Sequence, residues 1–300
     1  MADSDRGAGE EALLGRPELV RVPVLSTFLG QIREQRGLDR TDAASMIALS
    51  TVYLGQIESG RRRPSPEMLD SIIAGYGMTA AQAGHARNLL ADPLDLPSVE
   101  WFRRQVAEME GLTWHLADLS AIRVPAVLLD PVAEVLASNA DPALLMPGLL
   151  EVGNYVSWCF TPSASEVLLD WPAEADFAVS ALQRSAGRFR SSRRLHRLLR
   201  SLSTSEEFIR RWSALTEVTY LRPIDHCMVY RDPDTGIRSA TIHRTVVGEA
   251  GMALFTAYPR KVPPRRLISR WPQLRPDDAD SIDAVSITTN PGYGGQKMFR

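Results

Sequence analysis

The feature that most constrains this chain is an ordered run of helix start and stop signals between residues 25 and 82. Leu25, Phe28, Leu29 and Ile32 fall at i, i+3, i+4 and i+7, the apolar stripe of a first helix, and Gly37 stops it. A short second helix is predicted from about Arg40 to Ile47, with Ala43, Ala44 and Ile47 inward; the two alanines permit a close helix crossing. Ala48-Leu49-Ser50 makes a turn, and Ser50 can cap a third helix by accepting a hydrogen bond from a free backbone N–H. In that helix Leu54 and Ile57 point to the core, leaving Thr51, Val52, Gly55 and Gln56 outward. Gly60 ends it, Ser65-Pro66 starts a fourth helix with an apolar face of Leu69, Ile72, Ile73 and Tyr76, and Thr79-Ala80-Ala81-Gln82 is a capping box for a fifth.

Those residues resemble the Cro/repressor-like (XRE-type) helix-turn-helix family. The match runs from Gly37-Leu38 through Ala43-Ala44, Leu49-Ser50, Tyr53-Leu54 and Gln56-Ile57-Glu58-Ser59-Gly60 to Arg63-Pro64-Ser65. The resemblance implies that the third helix enters the major groove of double-stranded DNA and that its early outward residues touch base edges. Thr51, Val52 and Gln56 are then the base-reading candidates, with Tyr53 beside them. Arg40 falls where the family commonly places a phosphate-contacting Gln, and Arg61, Arg62 and Arg63 follow the reading helix. Ala48 replaces the usual turn glycine, which strains the turn if φ is positive there. Charge agrees in sign: residues 25–66 hold six Arg against four Asp or Glu, in a chain whose net charge is −2.

Asp92-Pro93-Leu94-Asp95-Leu96-Pro97-Ser98 reads as a linker, since neither proline can continue a helix. Beyond it Ala126-Val127-Leu128-Leu129 and Val135-Leu136-Ala137 predict two short strands around the Asp130-Pro131 turn. Residues 142–216 are helical in pattern. Strands follow at His226–Tyr230, Ile237–Val247 and Met252–Tyr258, the first two flanking the hairpin turn Asp232-Pro233-Asp234-Thr235-Gly236. The expected architecture is an N-terminal all-α helix-turn-helix bundle followed by an α+β domain with an antiparallel sheet. Expected boundaries are a disordered leader at 1–22, the helix-turn-helix domain at 23–91, a linker at 92–98, the second domain at 99–274 and a flexible tail at 275–300.

The second domain resembles the ligand-binding domain of MmyB-like transcription regulators. Carrying residues are Pro125-Ala126-Val127-Leu128-Leu129-Asp130, Val135-Leu136-Ala137-Ser138-Asn139, Asn154, Phe160-Thr161-Pro162, Asp170-Trp171, Ser205-Glu206-Glu207-Phe208 with Trp212, and Asp232-Pro233 leading to Gly236. Asp232 stands where that family often has His, and Thr161 where it often has Asp. The resemblance implies a PAS-like fold with helices across one face of the sheet and a mostly apolar pocket for a small lipophilic, fatty-acyl-like ligand. Asn139, Trp158, Phe160, Trp171, Phe208 and Trp212 are the candidate ligand contacts, weighed against plain core filling by the same aromatics.

Seven arginines and no acid occur from Arg184 to Arg200; Arg190, Arg193, Arg194 and Arg197 are expected on one helix face, opposite Leu195, Leu198, Leu199 and Leu202. That face is either simply solvated or an anion seat for flanking DNA phosphates or a ligand carboxylate. Two cysteines imply no disulfide framework. No secretory signal and no stretch of roughly 20 apolar residues stand in the sequence, so a cytoplasmic protein without membrane partners is expected.

No phosphate loop, Gly-x-Ser-x-Gly elbow, HExxH or paired CxxC occurs, so neither an enzyme, a metal nor a cofactor is expected. Asn290-Pro291-Gly292-Tyr293-Gly294-Gly295-Gln296 resembles a phosphate-binding loop of ribulose-phosphate 3-epimerases, but a (β/α)₈ barrel of roughly 200 residues or more cannot fit here. The expected function is a DNA-binding transcription regulator acting as a homodimer on two half-sites and controlled by a small lipophilic ligand. The alternatives are a helical protein-interaction adaptor and, less favoured, an epimerase fragment.

Overall fold

The computed structural model describes residues 20–139, 145–214, 227–234, 236–260 and 270. The chain divides into a unit ending at Pro259 and a second unit, Arg260–Arg300, of which only Arg260 and Arg270 are described. The epimerase-like segment and most of the predicted leader lie outside the described residues.

The five N-terminal helices form where their signals stand: α1 (Leu25–Gln35), α2 (Arg40–Met46), α3 (Thr51–Glu58), α4 (Pro66–Gly75) and α5 (Ala80–Leu90). Side-chain caps start four of them. Asp39 accepts from the Asp42 N–H, Ser50 from Tyr53, Ser65 from Met68, and Thr79 from Gln82, whose own side chain accepts from the Thr79 N–H. The stops are equally local, with Gly37 at φ 69° and Gly60 at φ 73°, conformations open to glycine at little cost. Phe28, Leu29, Ile32, Ala43, Ala44, Leu54, Ile57, Leu69, Ile72 and Ala86 make one core. A Cβ on Gly75 would lie 2.2 Å from Ile47 Cγ2, so only glycine lets α4 pass this close to the end of α2. Ala48, at φ 53°, turns the chain from α2 to α3 in the left-handed conformation anticipated for it.

The second domain opens with α6 (Val99–Ala107) and α7 (Glu110–Ala121), followed by β1 (Ala126–Leu129) and β2 (Val135–Ser138). Six helices follow: α8 (Leu149–Val152), α9 (Tyr155–Cys159), α10 (Pro162–Val167), α11 (Trp171–Arg188), α12 (Arg193–Leu202) and α13 (Glu206–Ala214). The hairpin strands are β3 (Cys227–Asp232), β4 (Gly236–Val247) and β5 (Met252–Pro259). The sheet order is β2-β1-β5-β4-β3, with every pairing antiparallel. The Asp232 side chain accepts from the Asp234 N–H in the β3–β4 turn, and Gly236 sits at φ 85°.

Helices were expected across one face of the sheet; the structure covers both faces at the β1 end. Strand β1 is buried throughout. Its odd-numbered residues, Val127 and Leu129, join a core with α9, α11, α12 and α13, while Ala126 and Leu128 pack with Phe102 of α6 and Leu119 of α7. A strand buried on both sides reads as a continuous apolar run rather than an alternating one. Residues 20–22, expected in the leader, lie against this domain: Val20 is buried in its core and the Trp212 indole donates to the Arg21 carbonyl.

Two of the residues behind the second resemblance act as backbone clamps. Asn139 accepts from the Ala126 N–H and donates to the Val124 carbonyl, closing the sheet edge. Asn154 caps α9 through the Ser157 N–H and donates to the Val132 carbonyl. Thr161 caps α10, work that Asp does equally well, which accounts for that exchange.

Candidate functional site

The candidate reading surface is α3 and what surrounds it. Its inner side is fixed by Leu54 and Ile57, both fully buried. Thr51 and Val52 project outward, Val52 with 72% of its surface exposed, while Tyr53 and Gln56 are half-exposed beside them. Arg61, Arg62 and Arg63 are all exposed just past Gly60. The Arg62 guanidinium lies 5.0 Å from the Tyr53 ring centre, a cation–π contact that orients both groups at the rim of α3. Arg63 donates to the Leu90 carbonyl at the end of α5.

Beneath this surface Glu58, whose side chain is 2% exposed, takes hydrogen bonds from Arg33 Nε at 2.6 Å and Arg40 Nε at 2.8 Å. Arg33 is as buried as the carboxylate and spends a further N–H on the Leu38 carbonyl. Arg40 is tied through Nε alone, with 56% of its side chain in solvent, so its terminal nitrogens are presented outward where a phosphate could lie. Burial pushes the Glu58 carboxyl up, but the hydrogen bonds and charges of Arg33 and Arg40 outweigh it and hold the group below the usual carboxylate range. The same pairing raises Arg33. The carboxylate thus locks α1, α2 and α3 together and fixes Arg40.

In the second domain a small apolar cavity of about 30 Å³ opens beside the sheet, and the unfilled space reaches about 440 Å³ only when the solvent at its mouth is counted. It is lined by Pro125, Val127 and Leu129 around β1, by Leu145, Met146, Leu149 and Tyr155, and by Met228, Ile242, Phe255, Thr256 and Ala257 from the other strands. The candidate contacts sit elsewhere. Phe160, Trp171, Phe208 and Trp212 form one ring cluster, with successive centroids 5.2–6.3 Å apart. Trp158 donates to the Pro147 carbonyl and Trp171 to the Cys159 carbonyl, so neither indole N–H faces the cavity unpaired. Trp158 stacks on Tyr155 at 6.0 Å, one layer behind the cavity wall.

The junction between the helical bundle and this domain is built from α5 against α11. His85 is buried, edge-on to Phe28 at 4.9 Å, and a Cβ on Gly187 would come within 2.7 Å of its ring. Burial pushes the imidazole down to about 4. Arg190 donates to the Asn88 and Ala91 carbonyls, capping the end of α5 from the neighbouring domain. Arg194 pairs with the buried Asp130 at the end of β1 and donates to the linker carbonyl of Pro97; burial raises the Asp130 pKa against the opposing charge of Arg194. Sequence reasoning put Arg194 on the outer face of α12, read Asp130 only as a turn residue and missed His85 and Gly187, because their partners lie far along the chain.

A capped reading helix with cations along its rim, joined to a domain with an apolar cavity, describes a two-domain regulator that binds nucleic acid and a small molecule. Comparison with known proteins agrees. Residues 109–267 match the MmyB-like transcription regulator ligand binding domain and residues 24–86 match a helix-turn-helix domain, neither of them an enzyme family. The first match covers more than half of the chain, which belongs to that family. Among its relatives is the HTH-type transcriptional regulator DdrOP3 of Deinococcus deserti, 41% identical over 93 residues. That alignment takes in 31% of this chain and 61% of the relative, so the chain spans less than two thirds of the relative's length. No helix among the described residues is long and apolar enough to cross a membrane.

Proposed function

We propose that this chain is a sequence-specific, XRE-type regulator that binds a double-stranded operator as a homodimer and answers to a small lipophilic ligand held in a PAS-like domain. The observation that carries the DNA-binding part is the arrangement on α3: Thr51, Val52, Tyr53 and Gln56 outward, framed by Arg40 and Arg61–Arg63. Gln56 offers a donor and an acceptor together, the pair that adenine presents in reverse at its major-groove edge. A reading helix of eight residues covers only a few base pairs, so specificity requires two half-sites about one turn apart and hence a dimer. The division into 23–91, a linker at 92–98 and 99–274 follows from the same reading.

The ligand part rests on the cavity, whose walls are apolar apart from Thr256 and Tyr155. Occupation at β1 would be felt at Asp130, the next residue, and through Arg194 at the linker, while Arg190 and His85 tie α11 to the end of the bundle. A ligand shifts DNA affinity only if it binds the two states of that junction differently. Native mass spectrometry and organic extraction of the gently purified protein should yield a bound acyl-type molecule. Adding it back should change affinity for a duplex selected by the chain from a random library. Absence of any retained lipid, with no effect of a fatty-acid series on DNA affinity, contradicts the ligand assignment. Failure to select any duplex contradicts the DNA assignment.

A further inference from the structure

The outer face of α12 has work that neither the cavity nor the junction uses. No acid occurs between Asp176 and Glu206. Of the arginines there, Arg190 holds α5 and Arg194 holds Asp130. Arg193, Arg197 and Arg200, at i, i+4 and i+7, are exposed on one face, and among the described residues none of them has a carboxylate partner. His196 is exposed beside them.

Ordinary solvated faces mix the two signs, and this helix opens against its own dipole: Arg193 stands exposed in a first turn that holds no acid, where the free N–H groups already make the field positive. A local choice that costs stability and serves no internal contact marks a surface kept for a partner of opposite charge.

Position says which partner. Arg63, in the segment that follows the reading helix, donates to the Leu90 carbonyl, and Arg190, three residues before α12, donates to the next carbonyl, Ala91. The two guanidinium groups are neighbours with Asp92 beside them: burial lowers the Arg190 pKa, the Arg63 charge lowers it further, and Asp92, 3.5 Å from Arg63, opposes both. The arginines that follow α3 therefore meet, at the end of α5, the segment that leads into α12, a helix about 15 Å long at 1.5 Å per residue.

We infer that the Arg193–Arg197–Arg200 face is a second phosphate-binding surface that lies on duplex backbone flanking the half-site read by α3. This rests on the reading of α3 as a DNA-binding helix. Such contacts carry no base information and add affinity by releasing counterions, so they show themselves in salt dependence and in duplex length.

The test uses the full chain and an R193Q/R197Q/R200Q variant on a duplex selected by the wild type. The duplex is made in two lengths: the footprint alone, and the footprint with ten arbitrary base pairs added at each end. The expected result is a log K against log salt slope for the wild type that is steeper on the long duplex. The variant should lose that increment, about 0.9 per phosphate, and match wild type on the short one. With three contacts in each of the two half-sites, wild-type affinity on the long duplex should fall roughly 2,000-fold more than the variant's between 50 and 200 mM salt. An unchanged or higher melting temperature for the variant shows that its fold is intact. Equal slopes for both proteins on the long duplex overturn the inference while leaving α3 as the reader. So does loss of binding to vesicles of anionic lipid in place of a DNA effect. Wild type that binds neither duplex overturns the underlying reading as well.

Discussion

Replacing Glu58 by Gln should destabilise the helical bundle far more than replacing Arg40, its solvent-facing partner. The Glu58 carboxylate is 2% exposed and is bonded on one side by Arg33, itself 7% exposed, and on the other by Arg40, 56% exposed. Glutamine keeps the size but removes the charge, so the buried Arg33 is left with only the solvent-exposed Glu34 carboxylate, 3.1 Å from Nη2, against it. Breaking a buried pair from one side typically costs about 3–5 kcal/mol. Arg40→Gln removes only the solvent-facing partner and should cost about 0–1 kcal/mol. The assay is urea unfolding followed by far-ultraviolet circular dichroism, with both variants compared at pH 7. The pH dependence follows from the same geometry. Because the folded carboxyl titrates below its unfolded value, its contribution is fully present above the unfolded pKa of roughly 4.3 and is lost as pH falls through the lower, folded one. A Glu58→Gln loss below about 1 kcal/mol, or a loss equal to that of Arg40→Gln, refutes the reasoning that Arg33 depends on this carboxylate.

His85 should make the junction sensitive to mild acid. Burial holds its folded pKa at about 4, below the roughly 6.5 of a free imidazole, so the unfolded chain binds the proton first and stability falls as pH drops from about 6.5 to 4, by up to roughly 3 kcal/mol. His85→Leu should flatten the melting temperature across that window, and an unchanged pH profile contradicts the assignment. Ala48→Gly relieves a non-glycine residue at φ 53° and should stabilise the bundle by about 0.5–1 kcal/mol once the greater freedom of unfolded glycine is counted. A lower midpoint in urea would show that the turn carries no strain. Met146→Trp should fill the cavity and abolish uptake of an acyl ligand while leaving the DNA-binding domain folded, as judged by extraction and circular dichroism. Retained lipid in this variant would place the ligand elsewhere.

The helical bundle was legible because its signals are local: Ser50, Ser65 and Thr79 each cap a helix within three residues, and Gly37 and Gly60 each end one. The three C-terminal strands were legible for the same reason, since Asp232 and Gly236 mark their first turn. What escaped is long-range. His85 meets Gly187, Arg190 reaches Ala91 and Arg194 finds Asp130, pairs set by how α5, α11 and α12 pack and carrying no periodicity of their own. The cavity escaped differently. The large aromatics suggested a ligand wall, yet Phe160, Trp171, Phe208 and Trp212 pack against one another, and the cavity is lined by smaller or more flexible side chains such as Leu145, Met146 and Met228. Large rings fill space best where rings meet rings, leaving the unfilled volume to residues that pack less completely.

The claim on which the rest depends is that α3 reads bases through Gln56 while the arginines at its rim hold phosphates. The measurement is a binding titration of wild type, Gln56→Ala and Arg62→Ala on the selected duplex and on single-base mismatches, at several salt concentrations. Gln56→Ala should lose about 1–3 kcal/mol of discrimination at one base position and keep the wild-type salt slope. Arg62→Ala should weaken every duplex alike and flatten the slope by about one unit. If Gln56→Ala weakens all sequences equally while Arg62→Ala relaxes preference at one base, the roles assigned to the two residues are reversed and the account of the reading surface is wrong.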